Sequence, residues 1–76
     1  MNDFELINYV FIDIDNVYRN CDELNLVYML HGRYLWIKNE IGIVKGFDKF
    51  SLRNLDKLLK MLKKNKVKFN KFEIQN

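Results

Sequence analysis

Two aspartates, in the segment Asp13-Ile14-Asp15-Asn16, have the spacing nearest to a catalytic pattern in this chain. Residues 9–14 alternate like a β-strand, and that alternation would place both carboxylates on one face. Paired carboxylates can hold Mg²⁺ for phosphoryl transfer, but such enzymes need further acids on later strands of a parallel sheet. The alternative is a strand end that leads into an Asx-type turn. We therefore predict no metal site, no cofactor and no enzymatic activity.

The single cysteine and the single histidine, Cys21 and His31, supply no second catalytic pattern. A tetrahedral zinc site needs four ligands, which these two residues cannot provide. We expect Cys21 to be a small buried residue and His31 to lie in a turn beside Gly32. A lone cysteine forms no internal disulfide, which favours a reducing compartment, and we predict a cytoplasmic protein.

Tyr34 and Trp36 share one face of a predicted strand and are flanked by Arg33 and Lys38. Aromatic side chains among cations on a sheet can stack nucleobases. The same residue types also anchor protein interfaces. A third interpretation is that Trp36 packs beneath a helix as part of the core. Tyr34 and Trp36 are therefore candidate binding residues for a protein or a nucleic acid.

The stretch 51–65 predicts an amphipathic helix with a cationic outer side. Its leucines recur at helical spacing, and at about 100° per residue its outward cations fall within roughly 60° of arc. Those cations, here called the basic stripe, are Arg53, Lys57, Lys60 and Lys64. The stripe continues into four further lysines, Lys63, Lys66, Lys68 and Lys71. The stripe predicts salt-dependent, sequence-nonspecific contact with phosphates, and its alternative is a solvated surface.

The elements that would position these residues follow from periodicity and turn signals. Strands are predicted at 9–14, 24–30, 34–38, 41–45 and 67–74, the last with a bulge near Asn70, and the helix is capped by Ser51. We therefore predict an α+β fold in two layers, with an antiparallel sheet of four to five strands and one amphipathic helix (51–65) packed on one face. The apolar residues within 2–23 also fit a helix, so that segment has a second interpretation.

Composition predicts a single domain, 1–76, that is 49% hydrophobic and has no apolar stretch long enough to cross a membrane. Residues 1–30 hold six acids and one base, whereas residues 31–76 hold twelve bases and four acids. This asymmetry favours anionic partners at one end of the molecule, unless the two halves neutralise each other. The chain contains ten lysines and ten asparagines but no proline, alanine or threonine, which is typical of an AT-rich genome. Part of the lysine content therefore reflects codon supply.

These observations leave three functional hypotheses. The first is a non-enzymatic protein-binding module of phage or mobile-element type. It would occlude a host protein or protein–nucleic acid complex, for example as an anti-CRISPR-like inhibitor of a nucleic-acid-guided defence complex. The second is a small nucleic-acid-binding protein that uses the basic stripe, and the third is the phosphoryl-transfer enzyme at Asp13 and Asp15. An apolar sheet covered by one helix also predicts that homodimerisation would cover an exposed face.

Overall fold

Two helices and a four-stranded sheet form the two layers of the fold, as described by a computed structural model for residues 2–76. In chain order the elements are α1 (Asp3–Asn20), β1 (Asn25–Met29), β2 (Tyr34–Lys38), β3 (Ile43–Phe47), α2 (Leu52–Lys64) and β4 (Lys71–Gln75). The strands lie in the order β3-β2-β1-β4. The predicted α+β class is confirmed. The sheet is mixed rather than antiparallel, and two helices rather than one pack on it.

The predicted first strand, 9–14, is wrong because these residues belong to α1. Asn2 caps the helix, and its Oδ1 accepts a hydrogen bond from the Glu5 amide at 2.9 Å. The buried positions of α1 are Ile7, Val10 and Ile14, which recur every three or four residues. Val10 and Ile14 are four residues apart, and in so short a run this separation fits both the alternation of a strand and the repeat of a helix, which explains the misassignment.

The strands β1, β2 and β3 form the antiparallel meander that the short connections predicted. Leu26 and Tyr28 of β1 lie beside Leu35 and Ile37 of β2, and all four are fully buried under the helices. The hydroxyl of Tyr28 donates to the carbonyl of Phe50 at 2.7 Å within this core. That bond ties the middle of the sheet to the connection before α2.

The predicted last strand, 67–74, is shorter than expected and runs in the other direction. β4 begins at Lys71 and pairs in parallel with β1, because α2 carries the chain back across the sheet. The predicted bulge near Asn70 is wrong. Val67 and Phe69 precede the strand, so their parity is independent of the parity of β4.

The predicted helix at 51–65 is confirmed as α2 with its two caps. Ser51 Oγ accepts from the Asn54 amide at 3.1 Å, and Asn65 ends the helix. Leu55, Leu58 and Leu62 are buried against the sheet and α1, as the leucine spacing predicts. The same spacing predicts a buried Leu52, which is wrong, because this residue of the first turn is 52% exposed. This packing turns the opposite side of α2 outward.

Candidate interaction surfaces

The open sheet face is the side of the sheet that neither helix covers in residues 2–76. Tyr34 and Trp36 of β2 lie on it, because Leu35 and Ile37 occupy the alternate positions that point into the core. The interpretation that Trp36 packs beneath a helix is therefore wrong. Cross-strand partners add apolar side chains beside them. The apolar centre of the open sheet face consists of Val27, Met29, Tyr34, Trp36 and Ile43.

The indole of Trp36 lies over Gly46, its partner on β3. A methyl group at position 46 would lie 3.0 Å from Cδ1 and 3.3 Å from Nε1 of Trp36. The ring of Tyr34 is 6.2 Å from the indole, at an interplanar angle of 36°. Because Gly46 has no side chain, the indole packs directly against the backbone of β3. It lies there beside Tyr34, which is 38% exposed.

Polar residues surround the apolar centre of the open sheet face. Lys38 lies on β2, and Lys71 and Glu73 lie on β4, where Lys71 Nζ contacts Glu73 Oε2 at 2.7 Å. The Lys71 ammonium and then the Gln75 amide hold the pKa of Glu73 below its usual range. The open sheet face thus has an aromatic centre that is bordered by two lysines and one glutamate.

The basic stripe lies on the outward side of α2, and all four of its residues are exposed. Lys60 pairs with Asp56 at 3.0 Å, whereas Arg53, Lys57 and Lys64 have no acidic partner within 4.0 Å in the described chain. Because α2 covers the other face of the sheet, the stripe and Trp36 lie on opposite sides of the molecule. The two groups of predicted binding residues therefore form two separate surfaces.

The predicted continuation of the stripe is interrupted. Lys63, Lys66 and Lys68 are exposed at the end of α2 and just after it. Lys71, by contrast, lies on the open sheet face and is paired with Glu73. The cationic surface of α2 therefore ends at the connection to β4.

Asp13 and Asp15 lie on α1 and do not form the carboxylate pair that the strand interpretation implied. Two residues along a helix differ by about 200° in direction, so the side chains diverge. Asp13 contacts Lys45 Nζ of β3 at 2.7 Å, and Asp15 contacts Arg19 at 3.0 Å. No cluster of three or more metal-ligating side chains occurs in residues 2–76. Both aspartates thus have a partner within the fold.

Lys45 joins the edge strand β3 to α1. Its ammonium contacts Asp13 and the Tyr9 hydroxyl and lies 3.9 Å from the centroid of the Tyr9 ring. Hydrogen bonds to Asp13 and then to Tyr9 raise the pKa of Lys45 above its ordinary value of 10.5. The side chain of Asp13 therefore points toward the sheet to make a structural contact.

Cys21 and His31 have local roles. His31 lies in the turn between β1 and β2, as predicted. Cys21 ends α1 and is only partly buried, with its Sγ 3.1 Å from the carbonyl oxygen of Glu23. The prediction of a buried cysteine is corrected accordingly, because the residue lies at the helix end rather than in the core.

A groove between α2 and β4 was missed by the sequence reasoning. This open groove, here called the β4 groove, has a volume of about 530 Å³, and its apolar lining consists of Leu59, Val67, Phe69 and Phe72. Lys63 and Lys68 flank it. The signal for it was the parity slip between Phe69 and Phe72, which indicates two apolar segments meeting at an angle rather than one continuous strand.

Comparison with known protein families, with characterised proteins and with solved structures finds no match for this chain. Neither helix of the described residues is long and apolar enough to cross a membrane.

Proposed function

We propose that this protein is a non-enzymatic binding module that contacts a partner protein through the open sheet face. The observation that carries the proposal is the position of Trp36, which lies among apolar neighbours on the side without helices. Monomeric proteins rarely leave a contiguous apolar surface exposed unless it is used for binding. Tryptophan and tyrosine are also the side chains that contribute most at interface centres.

Charge favours a protein rather than a nucleic acid at this face. Lys38 and Lys71 are offset in part by Glu73, and the unpaired cations of α2 lie on the opposite side of the domain. A stacking surface for nucleobases needs cations beside it to hold the phosphates. The open sheet face has too little net positive charge for that role.

The partner that we propose is a host protein or a host protein–nucleic acid complex. A small surface-binding domain with an AT-rich composition fits an inhibitor encoded by a phage or other mobile element that acts by occlusion in the cytoplasm. Inhibition of a nucleic-acid-guided defence complex is one such role.

Affinity capture from host-cell extract, followed by titration of the purified partner, tests the proposal. Trp36→Ser should weaken the titrated affinity by at least about tenfold, since central aromatic anchors contribute on the order of 2 kcal/mol or more. Ile12→Ser is the matched control, because Ile12 is 56% exposed on the outer side of α1. Equal affinities of the Trp36 and Ile12 variants would contradict the proposal. A concentration-dependent homodimer that Trp36→Ser abolishes would instead assign the face to self-association.

The basic stripe supports a second function, nonspecific binding of nucleic acid, because Arg53, Lys57 and Lys64 are exposed and unpaired. If four cations contact phosphates, the affinity for duplex DNA should fall with a slope of about −3.6 in log K against log salt. Fluorescent oligonucleotides at low and moderate salt test this. Lys57→Glu with Lys60→Glu should remove binding while leaving the fold intact, and a salt-independent affinity would refute the phosphate contacts.

A further inference from the structure

The outer side of β4 has unpaired backbone groups. β4 is an edge strand that pairs only with β1 among residues 2–76. Leu30 N donates to Gln75 O at 2.7 Å, so the carbonyl of Gln75 points toward β1. Because backbone direction alternates along a strand, the amide and carbonyl groups of Phe72 and Ile74 point away from the sheet. An additional strand can bond to them.

The β4 groove lies where the side chains of such a strand would project. Phe72 and Ile74 lie on the same side of the sheet as the helices, since they pair with the buried Leu26 and Tyr28. Alternate side chains of an added strand would point to that side, against Leu59 and Phe69. The groove is open on its outer side and offers about 530 Å³ to those side chains. Ile74 itself is 53% exposed and would be covered.

The flanking charges specify the chemistry of the occupant. Lys63 and Lys68 are exposed beside the groove and have no acidic partner within 4.0 Å in the described residues. A cationic rim around an apolar groove is complementary to apolar side chains with carboxylates beside them. Such a rim favours an acidic partner segment and disfavours a basic one.

We propose that β4 and the β4 groove bind an extended segment of a partner protein, in which apolar side chains alternate and acidic residues flank them. The segment adds a fifth strand to the sheet, and backbone hydrogen bonds to Phe72 and Ile74 set its register. This surface is distinct from the open sheet face, so the inference goes beyond the function proposed above.

A second copy of this chain is a poorer occupant. Two-fold antiparallel pairing through the outward groups of Phe72 and Ile74 would place Glu73 opposite Glu73 of the other copy. It would also bring two rims together that each carry Lys63 and Lys68. Like charges directly opposite one another destabilise strand pairing.

Fluorescence anisotropy with a defined peptide tests the proposal. The probe is a labelled peptide in which four valines alternate with serines and two glutamates stand at each end. Its controls carry lysines in place of the glutamates, or proline at the centre. We expect saturable binding of the acidic peptide below about 1 mM and binding at least about tenfold weaker for the lysine peptide. The proline peptide should not bind, because proline cannot donate to the ladder.

Charge exchange on the protein supplies the decisive comparison. Lys63→Glu with Lys68→Glu should lower the affinity for the acidic peptide by about tenfold and raise the affinity for the lysine peptide. Lys57→Glu with Lys60→Glu makes the same charge change on α2 away from the groove and should leave the preference for the acidic peptide intact. Circular dichroism verifies the fold of each variant.

Three results would overturn the inference. The first is absence of saturable binding below about 1 mM. The second is an equal loss of affinity for the acidic peptide in the two charge-reversed variants, or an affinity of the proline peptide equal to that of the acidic peptide. The third is a dimer of the free protein that the peptide dissociates, which would give the β4 edge to a second copy. The Trp36→Ser variant should bind the peptide normally, so failure at the groove and failure at the open sheet face are distinguishable.

Discussion

Replacing Gly46 by alanine is the sharpest structural test of how Trp36 lies on the open sheet face. The new methyl group would stand 3.0 Å from Cδ1 of Trp36, whereas carbon atoms pack best at about 3.5–4.0 Å. The indole must therefore move. Overpacking of this kind typically destabilises by about 1–3 kcal/mol.

An opposing effect comes from the unfolded chain. Gly46 has no positive φ, so alanine fits its backbone and should stabilise by about 0.4–1 kcal/mol through lower unfolded-state entropy. The net expectation in the wild-type background is a loss of about 1 kcal/mol in the free energy of unfolding, or about 4–8 °C in Tm for a domain of this size. In a Trp36→Leu background the steric conflict is gone, and the same substitution should stabilise.

Urea unfolding of the four proteins in this cycle measures the coupling between positions 36 and 46. Trp36 is the sole tryptophan, so its emission also reports on the displacement directly. Gly46→Ala should shift the emission to longer wavelength and increase quenching by acrylamide. Equal stability changes in both backgrounds, within about 0.5 kcal/mol, would refute the placement of the indole over Gly46.

Three further predictions concern the scaffold and its pH dependence. Tyr28→Phe removes the hydrogen bond to the Phe50 carbonyl and should lower the unfolding free energy by about 1–3 kcal/mol in urea titrations. Ser51→Ala removes the N-cap of α2 and should cost about 1 kcal/mol in the same assay. The lowered pKa of Glu73 means that its pairing stabilises the fold above the ordinary value of 4.5 and is lost as pH falls through the lower, folded-state pKa. Below pH 4.5, the Tm of Glu73→Gln should therefore fall less steeply with acid than the Tm of the wild-type protein.

Each of these predictions has a contradicting result. An unchanged unfolding free energy in Tyr28→Phe would mean that Phe50 finds another donor. Full stability in Ser51→Ala would place the start of α2 elsewhere. An identical acid profile in Glu73→Gln would mean that the contact between Lys71 and Glu73 does not persist in solution.

The sequence carried enough information to place β1, β2 and α2, whereas the strand predicted at 41–45 is observed two residues later, at Ile43–Phe47. The leucine spacing and Ser51 located α2 to within a residue at each end, because capping and amphipathicity agree there. Strand β2 was predicted at its observed bounds, 34–38. These elements have strong periodic patterns, flanked by a cap or a turn.

The misassigned elements share one physical cause. The local sequence pattern does not specify which distant segments an element packs against or pairs with. In α1, Val10, Ile12 and Ile14 alternate as in a strand, but tertiary contacts bury Val10 and Ile14 and leave Ile12 exposed. The parallel pairing of β4 with β1 depends on the path of α2 across the sheet. The β4 groove arises from that same path, so the parity slip between Phe69 and Phe72 indicated a break in the strand but not the groove itself.

The candidate site was predictable in its residues but not in its geometry. Alternation placed Tyr34 and Trp36 on one face, while only the packing of both helices on the other face showed that this face is open. The basic stripe was predicted from helical spacing, and its side of the molecule followed from the burial of Leu55, Leu58 and Leu62.

Site-specific photo-crosslinking tests the central claim, that the open sheet face binds a partner protein, most directly. A photoreactive amino acid replaces Tyr34 in one protein and Lys57 in another, and both are irradiated in host cells. We expect one discrete crosslinked host protein from position 34, which disappears when Trp36→Ser is added, and none from position 57. Crosslinking to that protein from position 57 alone, or from position 34 regardless of Trp36, would contradict the claim.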